Sequence, residues 1–593
     1  MTHDSTSAQP HVALADDVID RGGGRMPDWG VAELPEPPKL KGGWTKLLGP
    51  GLMMAGAAIG GGEWLMGPAT TAKYGGIIMW LAMVSILTQV VYNLEVMRYA
   101  LFCGESIFVG WFRLGPGPRF WTGVYLFVDF FGLWPYLAAN AAVPLAAAIL
   151  GHMPGAIPTD YEASASIAQR TGVSISALEE LKAAGERVKL LEKDVAKAKG
   201  DERIALGKTL DAAKATAKAA IPQPLLDQMA GEASMRTKLS YGIFIACFIP
   251  LIFGGKIYNT LVRIMVVKVV FVLGYLLFLG VYFVAPETWA EVFGGFVFLG
   301  RDAAGEWGFR LLPDTTGGPP IDWALLGAFA AIAGQGGMNN SQFSSYARDR
   351  GWGMGQLVGA IPSLVGGREV KLQHTGKRFP INAESLRKFK GWMRVAYRDQ
   401  WCIWFVGCIL GVAIPAMVSL QFVRNTTLEG DAIAAATAEA ISRQTGLGIF
   451  WFLTLLCGFM VLAPNQVTAA DGLVRRWTDA LWTGSKKLGK LEGGKVRYVY
   501  FAMLVAYCIW GLVILVWTGD KPLTIVKASG LIMNFALGFS ALHTLAVNTI
   551  LLPKEVRPSW VARIGLVVCA VFFIGIAVMS VPKTLTDLGI IGK

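Results

Sequence analysis

Long apolar runs, repeated along the chain, decide its class before any motif is considered. Ile77–Leu87, Ile243–Phe253, Val266–Val284, Ile449–Ala463, Ala502–Val516 and Val561–Val581 are almost free of charge. A bilayer-spanning helix needs about 20 mostly apolar residues, and several of these blocks reach that length with their flanks. Only 16% of the 593 residues are charged, against roughly a quarter in a soluble protein. Within lipid every backbone polar group must be satisfied internally. The expected class is therefore an all-α polytopic membrane protein.

Apolar runs between charged punctuation give eleven spans, at roughly 47–67, 77–101, 120–150, 239–254, 258–285, 321–346, 399–420, 447–472, 497–518, 525–552 and 559–582. Basic residues crowd alternate connections: Arg98, Arg113 and Arg119; Lys256 and Arg263; the stretch Arg348 to Arg398; Arg475, Arg476 and Lys486 to Arg497; then Lys554, Arg557 and Arg563. The other connections carry Glu287, Glu291, Asp302, Glu306 and Asp314. By the positive-inside rule the protein is expected in the cell (inner) membrane, with a cytoplasmic N-terminus and the C-terminus outside. That bias accounts for the net charge of +12 without a nucleic-acid partner. Residues 1–43 are polar and lack a basic start followed by an apolar core, so a disordered cytoplasmic tail is expected rather than a cleaved signal. Of the seven cysteines none forms a C-x-x-C pair, which predicts free buried thiols.

Between the third and fourth spans, residues 156–236 depart from the apolar pattern. The segment is rich in Ala, Lys and Glu, with Leu178, Leu181, Val188, Leu191 and Val195 at helical spacing and a turn at Gly200-Asp201. It reads as an extracytoplasmic helical hairpin insert. A solvated spacer is the plain reading and a surface for another protein or protomer the alternative. The domain plan is thus a tail at 1–43, transmembrane helices 1–3 within 44–155, the insert at 156–236, and helices 4–11 within 237–593.

Two of the spans are broken. In GAAIGGGEWLMGPATTAKYG, Gly60, Gly61 and Gly62 precede Glu63, and Pro68 follows. Each glycine costs about 1 kcal/mol against alanine in a helix, and an intramembrane carboxylate is expensive unless paired or used. A discontinuous helix explains both: the unwound glycines expose backbone, and Glu63 opens a second half-helix whose N-terminal dipole favours negative charge. The alternative is a paired, structural Glu63. The sixth span repeats the anomaly, with Ala333, Gly334, Gln335, Gly336, Gly337, Met338, Asn339 and Asn340 interrupting an apolar helix. Two interrupted spans, five apart, point to an inverted-repeat transporter with a binding site at mid-membrane.

These residues resemble a known family, the Nramp divalent-metal transporters. Gly49-Pro50-Gly51, eight residues, Gly60-Gly61-Gly62-Glu63-Trp64 and then Tyr74-Gly75 match the spacing of the family's first span, which reads Gly-Pro-Gly, eight residues, Asp-Pro-Gly-Asn-Trp and then Tyr-Gly. Gly336-Gly337-Met338, followed by Ser344-Ser345 and Arg348, is similar to its sixth-span signature of Met-Pro-His, a Ser pair and a basic end. Asp129 is similar to an acidic third-span position the family uses for proton movement. The resemblance implies a leucine-transporter-like fold: a 5+5 inverted repeat plus an eleventh helix, with tail and hairpin outside it. The departures bear on cargo. The family's metal-binding Asp falls on Gly60, its Asn on Glu63, its Met on Gly336 and its His on Met338. Family-type coordination would leave Glu63 and the carbonyls of Gly60 and Ala333 near the ion. Losing the thioether removes a preference for soft metals, and one carboxylate with carbonyls and amides suits a hard cation that keeps several waters. Met338 is a packing residue or a displaced sulfur ligand.

Other polar positions have plainer readings. Glu95 and Arg98 are spaced for a local ion pair; Asn465, Asp471, Asn534 and His543 suit helix–helix hydrogen bonds. Ser540 and His543 share one helix without an orienting acid, which argues against a serine protease. No Walker A, zinc cluster or dinucleotide loop is present, so neither ATP-driven pumping nor an enzyme has support. The expected function is secondary active transport of a Mg2+- or Mn2+-like divalent cation by alternating access, with proton coupling through Asp129 as an option and no cofactor beyond the cation carried as substrate. The alternative is the same fold carrying a small organic solute such as an amino acid or amine. Glu63, Gly60, Ala333, Gln335, Met338, Asn339 and Asn340 are the candidate binding residues, and Gly61, Gly62, Gly336 and Gly337 the helix breaks.

Overall fold

The computed structural model describes residues 26, 28–38, 49–130, 135–154, 164–197, 201–253, 257–301, 305–313, 320–359, 375–424, 431–485, 487–491, 495–518 and 522–587. Eight helices among them are long and apolar enough to cross a bilayer: Gly76–Cys103 (span 2), Gln223–Ile252 (span 4), Ile257–Phe283 (span 5), Ala383–Phe422 (span 7), Ile449–Gly484 (span 8), Val496–Val516 (span 9), Val526–Ile550 (span 10) and Trp560–Asp587 (span 11). The remaining three expected spans are interrupted. Span 1 is an α-helix over Pro50–Ala58, a π-helical turn over Gly62–Met66 and an α-helix over Gly67–Tyr74. Span 3 comprises Pro118–Val128 and Tyr136–Leu150. Span 6 comprises Trp323–Ile332, a 3-10 turn over Gly337–Ser341 and Gln342–Arg350.

Spans 1 and 6 lie at the centre. The first half of span 1 packs on span 5 and its second half on span 7; the two halves of span 6 pack on spans 10 and 2. The two breaks lie side by side, Glu63 of span 1 accepting from the Gly334 N–H of span 6. Exposed apolar residues recur at helical spacing on the periphery: Val505, Ile509, Val513 and Val516 on span 9, and Val561, Ile564, Val568 and Val571 on span 11. A soluble protein rarely exposes continuous apolar stripes, so these are the faces that meet lipid.

Several boundaries differ from those read in the sequence. Span 8 is 36 residues long, and Arg475 and Arg476, counted above as loop charges, are buried within it; so is Arg348 at the end of span 6. Span 4 starts at Gln223, inside the segment assigned to the insert. A further helix at Asp431–Thr445, unforeseen by the sequence, packs on span 8. The insert contains helices over Ser164–Thr171, Ile175–Lys197 and Asp201–Ala219; the last two pair as a hairpin, while Gly200 of the turn lies outside the described residues. Ile167, Leu178, Leu181 and Leu225 form a small core there. His152 Nε2 and Glu232 Oε1, 2.6 Å apart, tie the end of span 3 to the start of span 4.

Part of the expected disordered tail is docked. Gly30–Val31 pairs in parallel with Lys377–Arg378, Leu34 is buried, Trp29 packs edge-on against Tyr99 and Phe102, and Trp392 Nε1 donates to the Pro35 carbonyl at 2.8 Å. A few apolar side chains in a polar stretch suffice to hold it, and average composition hides them. Residues 1–25, 27 and 39–43 lie outside the described residues. All seven cysteines are free, but Cys402 is exposed and Cys508 only half-buried, so five of the seven fit the expected burial.

Candidate substrate site between the two breaks

Breaking span 1 at Ala58 leaves carbonyls that no longer find an N–H one turn on. Span 8 and span 5 supply the donors instead. Asn465 Nδ2 donates to the Ala57 carbonyl at 2.7 Å and the Ile59 carbonyl at 3.3 Å. Lys268 Nζ donates to Gly56 at 2.8 Å, to Ile59 at 2.5 Å and to Asn465 Oδ1. Gly60 is needed here for space, since a Cβ would sit 2.3 Å from Asn465 Nδ2.

Glu63 links the two breaks. It is fully buried; its Oε2 accepts from the Gly60 N–H at 2.9 Å and its Oε1 from the Gly334 N–H of span 6 at 3.3 Å. The carboxylate therefore lies at the start of the second half of span 1, where the dipole favours it.

Span 2 satisfies the broken backbone of span 6. Gln89 Oε1 accepts from the Gln335 and Gly336 N–H groups at 3.0 and 3.1 Å, and its Nε2 donates to the Ala333 carbonyl at 2.7 Å. Ser85 Oγ donates to the same carbonyl at 3.1 Å. Gly336 has φ +66°, and a Cβ would lie 1.7 Å from the Ala331 carbonyl oxygen, so only glycine fits.

A cavity opens beside the breaks. Gly60, Gly61, Gly334, Gln335, Met338 and Asn339 line it from spans 1 and 6, joined by Gln342, Asn465, Gln466, Thr468 and Ser529. Three of its buried polar atoms have no hydrogen-bond partner among the described residues: Gln335 Oε1, Gln342 Nε2 and Ser529 Oγ. Unpaired buried polar atoms cost free energy, and a polar ligand in the cavity would offset that cost.

Of the candidate binding residues named from the sequence, Gly60, Gln335, Met338 and Asn339 line this cavity, and three others do not. The Ala333 carbonyl is consumed by Gln89 and Ser85. Asn340 turns away and donates to Asn93 of span 2 at 2.8 Å. Glu63 is not on the cavity surface; it lies behind Gly60 and Gly334, which are.

Asp129 forms a bidentate ion pair with Arg476 of span 8, at 2.9 and 3.0 Å, and accepts from Trp477 Nε1 at 3.1 Å. Arg476 also donates to Asn339 Oδ1 at 3.1 Å, so the pair forms one wall of the cavity. No neighbour at helical spacing revealed this partner, because it comes from a span 347 residues away. Glu95 and Arg98 form the expected local pair at 2.8 Å. Ser540 and His543 contact Tyr92 and Tyr125 separately, leaving no serine–histidine couple. Asn534 makes a helix–helix hydrogen bond to the Gly327 carbonyl at 2.9 Å.

Lys268, Gln89 and Arg476, which hold the two breaks and one wall of the cavity, were not among the residues singled out for the site. Lys268 did carry a signal: a charge in mid-span within an apolar helix is a functional hypothesis by default. Among the described residues no group of three or more His, Cys, Asp and Glu side chains is disposed to hold a metal.

No family model matches the sequence, and no curated protein sequence matches it. Solved structures do align with it. A manganese transporter of Eremococcus coleocola, solved with an aromatic bis-isothiourea compound, aligns over 95% of this chain and 97% of its own, at 11% identity and a TM-score of 0.46. A mutant of the same transporter gives 12% and 0.47 with the same coverage. The nucleobase-cation-symport-1 family transporter Mhp1 aligns over 92% of this chain and 94% of its own, at 10% and 0.42. At these identities and scores the chain is similar to these transporters in outline alone.

Proposed function

We propose that the chain is a secondary transporter of the cell membrane, N-terminus cytoplasmic, that carries a hard divalent cation by alternating access at the cavity between spans 1 and 6. The observation that carries this reading is Glu63, a fully buried carboxylate bonded to the backbone of both breaks. Any motion that separates spans 1 and 6 must release one of those bonds, so charge at the cavity and the relative position of the two spans are coupled. A cation entering beside Gly60 and Gly334 meets oxygens of Gln335, Asn339 and Thr468, with the negative charge of Glu63 one residue layer behind. With a single carboxylate available the cation keeps part of its hydration shell, the habit of Mg2+ more than of softer ions. The first-span resemblance to Nramp transporters supports the same reading.

A second reading has its own support. The unpaired Gln342 Nε2 is a hydrogen-bond donor, and Asp129 is already paired with Arg476. A wall of amides and hydroxyls without a free carboxylate also suits a small polar organic solute. Purified protein in liposomes separates the two. Uptake of Mg2+ or Mn2+ that amino acids and amines do not inhibit supports the cation; uptake of an organic solute with no cation flux overturns it.

A further inference from the structure

Lys268 places an ammonium against the carbonyls that the break of span 1 leaves open, and the local geometry explains how it gets there. The half-helix Pro50–Ala58 directs its negative dipole end, and the carbonyls left over by the break, toward span 5. Gly56 has no Cβ, and one built there would fall 2.8 Å from Met265 Cβ; its absence lets spans 1 and 5 approach closely. From that contact Lys268 reaches three oxygens: the carbonyls of Gly56 and Ile59 and the side-chain Oδ1 of Asn465. The other arm of Asn465 is fixed on Ala57 and Ile59, so the cage has one shape. Lys268 is fully buried and, among the described residues, makes no ion pair. An ammonium hydrogen-bonded to neutral oxygens alone, with the Glu63 carboxylate close enough to act on its charge, has the coordination that a monovalent cation would take.

We propose that the Lys268 ammonium is a tethered cation, filling a cage on span 1 that would otherwise bind a free monovalent cation, so that the protein needs no sodium for stability or for its working cycle. The cycle half of this rests on the transporter reading, while the cage does not. The cage ties the first half of span 1 to spans 5 and 8. It stabilises one arrangement of the breaks without depending on the ions in solution.

The test uses full-length protein in detergent, melted in sodium, lithium, methylammonium or choline chloride at equal ionic strength. Wild type is expected to melt at one temperature in all four. Lys268→Ala is expected to melt several degrees lower in choline and to be restored saturably by sodium or methylammonium, as mass action requires. Lys268→Met, which fills the space without the charge, is expected to respond to neither. Sodium stabilisation of wild type, equal melting of Lys268→Ala in all four salts, or failure to recover that variant folded in any of them overturns the proposal. In liposomes, wild-type flux should be indifferent to sodium and Lys268→Ala flux should require it. A wild type with no flux but with this melting pattern would refute the transporter reading and leave the cage standing. Flux without the pattern would do the reverse.

Discussion

Replacing Glu63 with glutamine removes one charge and almost no volume, so its effect follows from the hydrogen bonds. Two buried N–H groups, of Gly60 at 2.9 Å and Gly334 at 3.3 Å, point at two carboxylate oxygens. A carboxamide has one oxygen, so one N–H is left facing an NH2 group. A hydrogen bond to a charged acceptor contributes about 1.5–3 kcal/mol, and stranding a buried donor costs a similar amount. Taking about 2–3 kcal/mol at the junction of the two breaks, and about 1.4 kcal/mol per tenfold, cation uptake should fall roughly 30- to 150-fold. Glu63→Asp keeps the charge but loses one methylene of reach and cannot serve both N–H groups, so it should also be impaired. The assay is Mg2+ and Mn2+ uptake by proteoliposomes, with melting temperature to verify folding. A folded Glu63→Gln protein with wild-type flux of both ions would refute the reasoning.

Asp129→Asn strands the Arg476 guanidinium inside the protein and should cost about 3–5 kcal/mol; the double variant Asp129→Leu with Arg476→Met should regain most of that in denaturant melts. Gly336→Ala forces a Cβ to within 1.7 Å of a carbonyl oxygen at positive φ, so it should abolish transport and lower the melting temperature by more than Gly185→Ala, a substitution that meets open space. Beyond the end of span 2, burial alone would raise the Glu105 carboxyl, but the Arg113 guanidinium, the Tyr99 hydroxyl and the Gly376 N–H hold it below its usual range. Its contribution is therefore complete above the ordinary carboxylate pKa and is lost as pH falls through the lower folded value. Stability should drop with acidification more steeply in wild type than in Glu105→Gln.

How much of this was legible in sequence follows from the range of the interactions. Membrane spans announce themselves through local composition, and the two breaks through glycines and polar residues where an apolar helix should run. Span 3 was read as continuous because no comparable glycine cluster marks its interruption near Asp129. Arg475 and Arg476 were misread as loop charges because a buried guanidinium looks identical in sequence to an exposed one. Its partners, Asp129, Asp349 and Asp471, mostly come from other spans. The resemblance to Nramp transporters implied the Ala333 carbonyl as a ligand, but which carbonyls of a break are free depends on span 2, where Gln89 and Ser85 donate to this one. Lys268 lay in plain view within an apolar block that was read only for its length.

The central claim is that the breaks of spans 1 and 6 together form a cation site. Anomalous diffraction from crystals grown with Mn2+ tests it directly. The account predicts one anomalous peak in the cavity beside Gly60 and Gly334, within reach of the Gln335 and Asn339 oxygens, and its disappearance in Glu63→Gln. A cavity with no peak in wild type at saturating Mn2+, or a peak unaffected by that substitution, would contradict it.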